Sequence, residues 1–178
     1  MTIEKITLGG GCFWCIENIF KRVIGVISVT SGYSAGDNIN PTYQQVCSGE
    51  TNHAEVVQIE FDNTEVNLKT LLTVFFGIHD PTSLNRQGED IGSQYRSIIL
   101  TRNEQQHKTA REKISELDKT DKFIDRIVTD IVQFEQFYSA ESYHQDYFEN
   151  NQDNQYCQLV VAKKIQKFLA EYSHLLKN

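Results

Sequence analysis

Ala54-Glu55-Val56-Val57-Gln58-Ile59-Glu60-Phe61-Asp62 is the most regular stretch of the 178-residue chain, and it reads as a β-strand. Val57, Ile59 and Phe61 fall on one face and Gln58 and Glu60 on the other, the period of two that a pleated strand imposes. A strand of this kind needs paired neighbours and a cover for its apolar face. Downstream, Leu68, Leu71, Leu72 and Phe75 mark an amphipathic helix that ends before Pro81. Upstream, residues 3–8 read as a first strand that runs into Gly9-Gly10-Gly11. Ile16, Ile19, Phe20 and Val23 then recur at helical spacing, Gly25 closes that helix, and residues 26–33 read as a second strand. Residues 34–52 form a polar loop around Pro41.

Beyond Pro81, residues 80–93 read as a loop rich in Asn, Gly and Asp, and residues 95–101 as a strand. Residues 104–117 form a charged helix, 127–133 a strand and 140–149 a helix. After the polar segment 150–155, Val161, Ile165, Phe168, Leu169 and Tyr172 mark a last helix. Strands and helices intermix in a chain short for a doubly wound sheet, so the expected class is α+β, a two-layer sandwich with helices on a mixed sheet. No linker or repeat divides the sequence, and residues 1–178 are expected to form a single catalytic domain.

The net charge of −7 argues against nucleic acid or an anionic membrane as the main partner. No stretch is apolar enough to span a bilayer and no secretory signal opens the chain, so a cytoplasmic location is expected. In a reducing compartment, four cysteines are catalytic, metal-binding or simply small buried residues.

Cys12 follows three glycines and opens a helix. The unpaired N–H groups and the dipole of a helix start stabilise a thiolate, lowering its pKa from about 8.5 towards roughly 3.5–7.5. Glycines let a substrate approach the backbone closely. A reactive cysteine and a small buried residue in a tight turn both fit this pattern. Phe13 and Trp14 are either an aromatic wall for a small apolar group or core packing. Cys15 completes a C-x-x-C pattern that suits a redox dithiol or half of a zinc site; Cys47 and Cys157 stand singly. In the strand quoted above, Glu55 has the parity of Val57, Ile59 and Phe61. It is either a desolvated acid that can donate a proton near neutral pH, or a solvated residue at the strand's start.

Gly11-Cys12-Phe13-Trp14 resembles the signature of the peptide methionine sulfoxide reductase A family. So do Gly32-Tyr33, Asn40-Pro41-Thr42-Tyr43, Val46-Cys47-Ser48-Gly49, His53-Ala54-Glu55 and His79-Asp80-Pro81-Thr82, in order and spacing. Arg86-Gln87-Gly88, Asp90 through Gly92, Gln94 to Ser97, Ala140-Glu141, Tyr143-His144-Gln145 and Tyr156-Cys157 extend the likeness to the last helix. The resemblance implies a ferredoxin-like core with long functional loops. It implies an oxidoreductase that reduces the S epimer of methionine sulfoxide, free or in proteins, and so repairs oxidised proteins. By resemblance Cys12 is the nucleophile, and Phe13 and Trp14 receive the sulfoxide's methyl group. Glu55 protonates the oxygen with Tyr43 and Tyr95 as hydroxyl partners, and Asp90 helps hold the substrate. Cys157 is the resolving cysteine, in a polar loop able to swing towards Cys12.

The expected cycle passes through a sulfenic acid and an intramolecular disulfide that a thioredoxin-like dithiol reduces. It uses no cofactor and no metal, and a monomer is expected. Cys15 is the alternative resolving residue, and a relay between Cys15 and Cys157 is a third route. The glycine-rich tail with a further cysteine found in some members is missing. His53 shares the face of Glu55, with a structural and a site role both open, while Tyr143, His144 and Tyr147 are read as packing against the Cys157 loop. Two other classes compete: a general dithiol oxidoreductase acting through Cys12 and Cys15, and a non-catalytic domain built on structural zinc. Neither accounts for Glu55 and the tyrosines.

Overall fold

A computed structural model describes residues 1–177. The chain runs β1 (Ile3–Gly9), α1 (Phe13–Lys21), β2 (Val26–Ser34), α2 (Tyr43–Cys47), β3 (Ala54–Asp62) and α3 (Leu68–Ile78). It continues through β4 (Arg86–Gln87), β5 (Asp90–Ile91), β6 (Ile98–Thr101), α4 (Glu104–Asp118), β7 (Asp130–Gln133), β8 (Phe137–Ser139), α5 (Tyr147–Asn150) and α6 (Ala162–Glu171). Six strands form one sheet in the order β7-β6-β1-β3-β2-β8, and β4 pairs with β5 in a separate ribbon. All pairs in the large sheet are antiparallel except β6 with β7. The central order β6-β1-β3-β2, with α1 and α3 as the crossovers, is the ferredoxin-like arrangement expected.

The period of two in β3 does what it predicts. Val57, Ile59 and Phe61 join Ile6, Leu8 and Ile99 in the large core, packed with Phe13, Ile16, Ile19 and Phe20 of α1 and Leu71, Leu72 and Phe75 of α3. The opposite parity, Ala54, Val56, Ile98 and Leu100, forms a smaller cluster beneath Val132, Phe134 and Phe137. Burying one Phe or Leu is worth about 1.5–3 kcal/mol. A pair as exposed as Lys69–Glu116, both side chains about half accessible, is screened by water and adds little. Apolar burial therefore holds the fold. The core is mostly Ile, Leu, Val and Phe, with Cys12, Cys15, Cys157 and Tyr33 among them; the one methionine, Met1, stands outside it, 88% exposed.

The departures from the sequence reading are local. The polar loop 34–52 contains α2, closed by a capping box in which Thr42 and Gln45 cap each other's backbone N–H. The strand expected from residue 95 begins at Ile98, and Tyr95 ends a short turn, Ser93–Tyr95. The strand expected over 127–133 is limited to Asp130–Gln133. The helix expected over 140–149 breaks at Asp146, whose left-handed φ of 54° separates a single turn, Ser142–His144, from α5. Cys157 lies in the wide first turn, Cys157–Val161, that leads into α6, fully buried. The expected polar loop ends before it. No helix among the described residues is long and apolar enough to cross a membrane.

Candidate active site

β1 delivers the chain into the three glycines, and α1 starts at Phe13 with Cys12 at the N-cap position. Gly11 has a φ of +87° and donates its N–H to the Tyr95 carbonyl at 3.1 Å. The space beside these glycines is filled by protein. A Cβ on Gly10 would lie 2.7 Å from the His79 ring. That ring cannot yield easily, because Nδ1–H donates to the Phe75 carbonyl at 2.6 Å and Nε2 accepts from Ser97 Oγ at 2.8 Å. The Ser97 hydroxyl in turn pairs with Thr129 Oγ1. Burial holds His79 neutral, its pKa lowered to about 4. The glycines thus serve close packing rather than open access. Gly10→Ala is expected to destabilise the protein by about 1–3 kcal/mol, read as a lower urea midpoint, and to slow reduction by displacing Cys12. An unchanged midpoint would mean the loop can absorb a methyl group.

The N–H of Phe13 donates to Glu55 Oε2 at 3.1 Å. The start of α1 is therefore capped by a side chain from β3, and Cys12 makes no side-chain capping bond. Glu55 points to the helix-covered face as its parity predicts, 1% exposed. Burial raises its pKa to about 8, against the smaller lowering effect of the Phe13 N–H. Cys12 is 6% exposed, and burial pushes its thiol well up, helped by contact with the Cys15 thiol and the nearby Glu55 carboxyl. The expectation of a resting thiolate at Cys12 is corrected here: the Trp14 N–H at the helix start lowers the thiol, but burial, the Cys15 thiol and the Glu55 carboxyl outweigh it. In the contact between the two sulfurs, the Cys12 thiol donates and lowers the pKa of Cys15 despite burial.

Around this pair stand aromatic rings. Trp14 stacks on Tyr147 with centroids 3.7 Å apart and meets Tyr156 edge-on at 5.8 Å. Phe13 packs against Tyr33. Half-buried Tyr43, from α2, and Tyr95 have phenols raised by burial and then by the Glu55 carboxyl. Tyr156 Oη donates to Asp90 Oδ2 at 2.5 Å, tying the β4–β5 ribbon to the turn that carries Cys157. A buried acid, a thiol and a ring of apolar surface with phenols are what protonating and attacking a small polar sulfur centre requires.

Against known proteins, the model of the family described as peptide methionine sulfoxide reductase matches residues 4–175. The chain belongs to the peptide methionine sulfoxide reductase family. It is 51% identical to peptide methionine sulfoxide reductase MsrA of Saccharolobus solfataricus, over 98% of both chains. It is 54% identical to the MsrA of Haloquadratum walsbyi, over 97% of this chain and 98% of that one. Reduced Mxr1 of Saccharomyces cerevisiae superimposes with a TM-score of 0.80 at 33% identity, covering 88% of this chain and 90% of Mxr1. Mxr1 has also been solved in complex with Trx2.

In this reductase the structure brings Cys12, Cys15, Phe13, Trp14, Glu55, Tyr43 and Tyr95 together, with Asp90 adjoining through Tyr156. Cys157 feels Cys15 as its charged neighbour, and burial raises its thiol. All four cysteines are free, and Cys47 is the exposed one. His53 is structural: buried, it bonds the Asn38 carbonyl through Nε2 at 2.7 Å and packs edge-on against Tyr138. The sequence reading missed Glu141, which accepts from Tyr33 Oη at 3.0 Å and the Tyr43 N–H at 3.1 Å and so fixes the start of α2. His144, read as packing against the Cys157 loop with no part in the site, meets Phe13, Trp14 and Tyr43. A helical reading of 140–149 concealed both.

Proposed function

We propose that this reductase acts on the S epimer of methionine sulfoxide, free or in proteins, with Cys12 as nucleophile and Glu55 as proton donor and acceptor. The observation that carries this reading is the buried, neutral Glu55 capping the helix that presents Cys12. A sulfoxide sulfur is a poor electrophile until its oxygen is protonated. Glu55 gives its proton to that oxygen as the Cys12 sulfur attacks, and the resulting carboxylate takes the Cys12 thiol proton. The sulfur–oxygen bond of the substrate then breaks, the hydroxyl passes to Cys12 as a sulfenic acid, and methionine leaves. Tyr43 and Tyr95 are un-ionised hydroxyls suited to donate to the same oxygen; Phe13 and Trp14 form the methyl wall; Asp90, steadied by Tyr156, borders the substrate. Assay of separated S and R sulfoxides tests the class: turnover of the R epimer alone would refute it.

Cys15 attacks the sulfenic sulfur and water leaves, giving a Cys12–Cys15 disulfide. Cys157 then exchanges onto Cys15 and frees Cys12. The contact of the Cys12 and Cys15 thiols, and the placement of Cys157 beside Cys15 within a buried turn, support this order over direct attack by Cys157. After one turnover without reductant, peptide mapping is expected to find Cys15 joined to Cys157. Cys157→Ser should trap Cys12–Cys15, and Cys15→Ser should leave a sulfenic acid that dimedone labels. A Cys12–Cys157 bridge forming at the native rate in Cys15→Ser would exclude the relay. A thioredoxin-like dithiol completes the cycle, a reading supported by the Mxr1 complex with Trx2. Free thiols cycling against such a donor suit a reducing compartment, the cytoplasm, with residues 1–178 acting as one catalytic domain.

A further inference from the structure

Lys164 lies in the first turn of α6, the helix that follows the buried turn of Cys157, and α6 packs against α1. Its side chain reaches back to the glycines before Cys12: a Cβ on Gly11 would stand 3.7 Å from Lys164 Nζ. The same ammonium group lies near His79, whose charged form it disfavours, and near Cys15, whose thiolate it favours. Three neighbours thus place the charge beside the loop that leads into α1. On its outer side is a cavity that also carries Asp80, Asp125, Lys122 and Lys167. Neither of these carboxylates, nor any other among the described residues, forms an ion pair with Lys164. Cys15 itself is 1% exposed. The other ionisable groups around it are Cys12, Glu55 of β3, Asp90 of β5, and Tyr156 and Cys157 at the turn into α6. Each of those is neutral or negative; Lys164 is the cation.

We propose that Lys164 is a positioning residue for the resolving step, its ammonium group stabilising the negative charge that Cys15 carries as it attacks the Cys12 sulfenic acid. The proposal rests on the relay through Cys15. In that step the Cys15 sulfur gives an electron pair to the Cys12 sulfur and the sulfur–oxygen bond of the sulfenic acid breaks. The hydroxyl leaves as water, with the proton that Cys15 gave up. In the resting protein the Cys12 thiol lowers Cys15 most, by donating to it against the cost of burial. That S–H is consumed in the first reduction step, whereas the charge of Lys164 persists. The cation is therefore needed when the other support is lost. A fixed charge acts more strongly in a buried site than in water, and no proton has to move to bring it into play.

Lys164→Met keeps the helix preference of the side chain and removes its charge, while Lys164→Arg keeps the charge. In a single turnover without reductant, Lys164→Met should release methionine at the native rate. It should hold the dimedone-reactive sulfenic acid about three- to tenfold longer at neutral pH. The slowing should shrink as pH rises and vanish once Cys15 is ionised in both proteins, where the less stabilised thiolate is the stronger nucleophile. Lys164→Arg should follow the native profile. With Cys12, Cys47 and Cys157 replaced by serine, Cys15 is the one thiol left, and its thiolate absorbance should appear at higher pH when Lys164→Met is added. An unchanged sulfenic acid lifetime, a slowing that ignores pH, equal slowing of methionine release, an arginine variant no better than the methionine one, or an unmoved thiolate titration would each overturn the proposal. Failure of the relay reading has a different signature: Cys15→Ser with a native sulfenic acid lifetime, while Lys164→Met still shifts the Cys15 titration.

Discussion

Glu55→Gln slows the first reduction step by about 10²–10⁴-fold at neutral pH, the usual weight of a positioned proton donor, while leaving a more stable fold. The glutamine amide oxygen can accept the Phe13 N–H as Glu55 does, so the start of α1 keeps its cap. What it cannot do is give a proton to the sulfoxide or take one from Cys12. The stability gain follows from the raised pKa of about 8 against the ordinary 4.5. Between those values the folded protein binds a proton that the unfolded chain has lost. Stability therefore falls as pH climbs from 4.5 to about 8, and levels off beyond. Glutamine carries no such penalty, so its advantage, on the order of a few kcal/mol, is largest at and above that pH. Urea unfolding of both proteins at acid and alkaline pH checks the sign; a variant less stable than native at alkaline pH would contradict a buried neutral acid. Native kcat/KM is expected to decline as pH rises through about 8 with ionisation of Glu55, and that limb should vanish in the variant.

Cys12→Ser removes the activity altogether, a loss of at least about 10⁴-fold, since a serine hydroxyl is a far weaker nucleophile and forms no sulfenic acid. The loss cannot be ascribed to unfolding. Cys12 occupies the N-cap of α1 without a side-chain bond, and serine is among the preferred residues there, so the melting temperature should hold or rise. Adding Glu55→Gln to Cys12→Ser should cost nothing further, because the two residues act on one step. Separate, multiplying losses would point to a second nucleophile, with Cys15 the first to examine.

The parts of this architecture legible in the sequence are those fixed by local period. β3 announces itself by alternation, and the same parity assigns Glu55 to the covered face before any neighbour is known. α1 and α3 follow from apolar residues at i, i+3 and i+4. The less legible parts depend on partners distant in sequence. Phe137–Ser139 is a strand because Gly32–Ser34 lies free to pair with it. The acidity of Cys12 turns first on its burial, and then on its neighbours Cys15 and Glu55; Glu55, which caps the start of α1, stands 42 residues from Phe13 in sequence. Cys157 follows a polar run that suggests exposure, yet the wide turn into α6 tucks its sulfur inwards. Thr42 and Gln45 were a readable signal for α2, overlooked because Pro41 favours a loop.

The absence of methionine from the core bears on the conditions under which such a protein works. Oxidants that turn thioethers into sulfoxides make a flexible apolar side chain polar, which spoils a packed interior. Here the lone thioether sits at the surface-exposed amino terminus, where added polarity disturbs no packing. The packed interior of the repair machinery is thereby spared the lesion it mends, since the sulfurs inside it are the thiols of Cys12, Cys15 and Cys157.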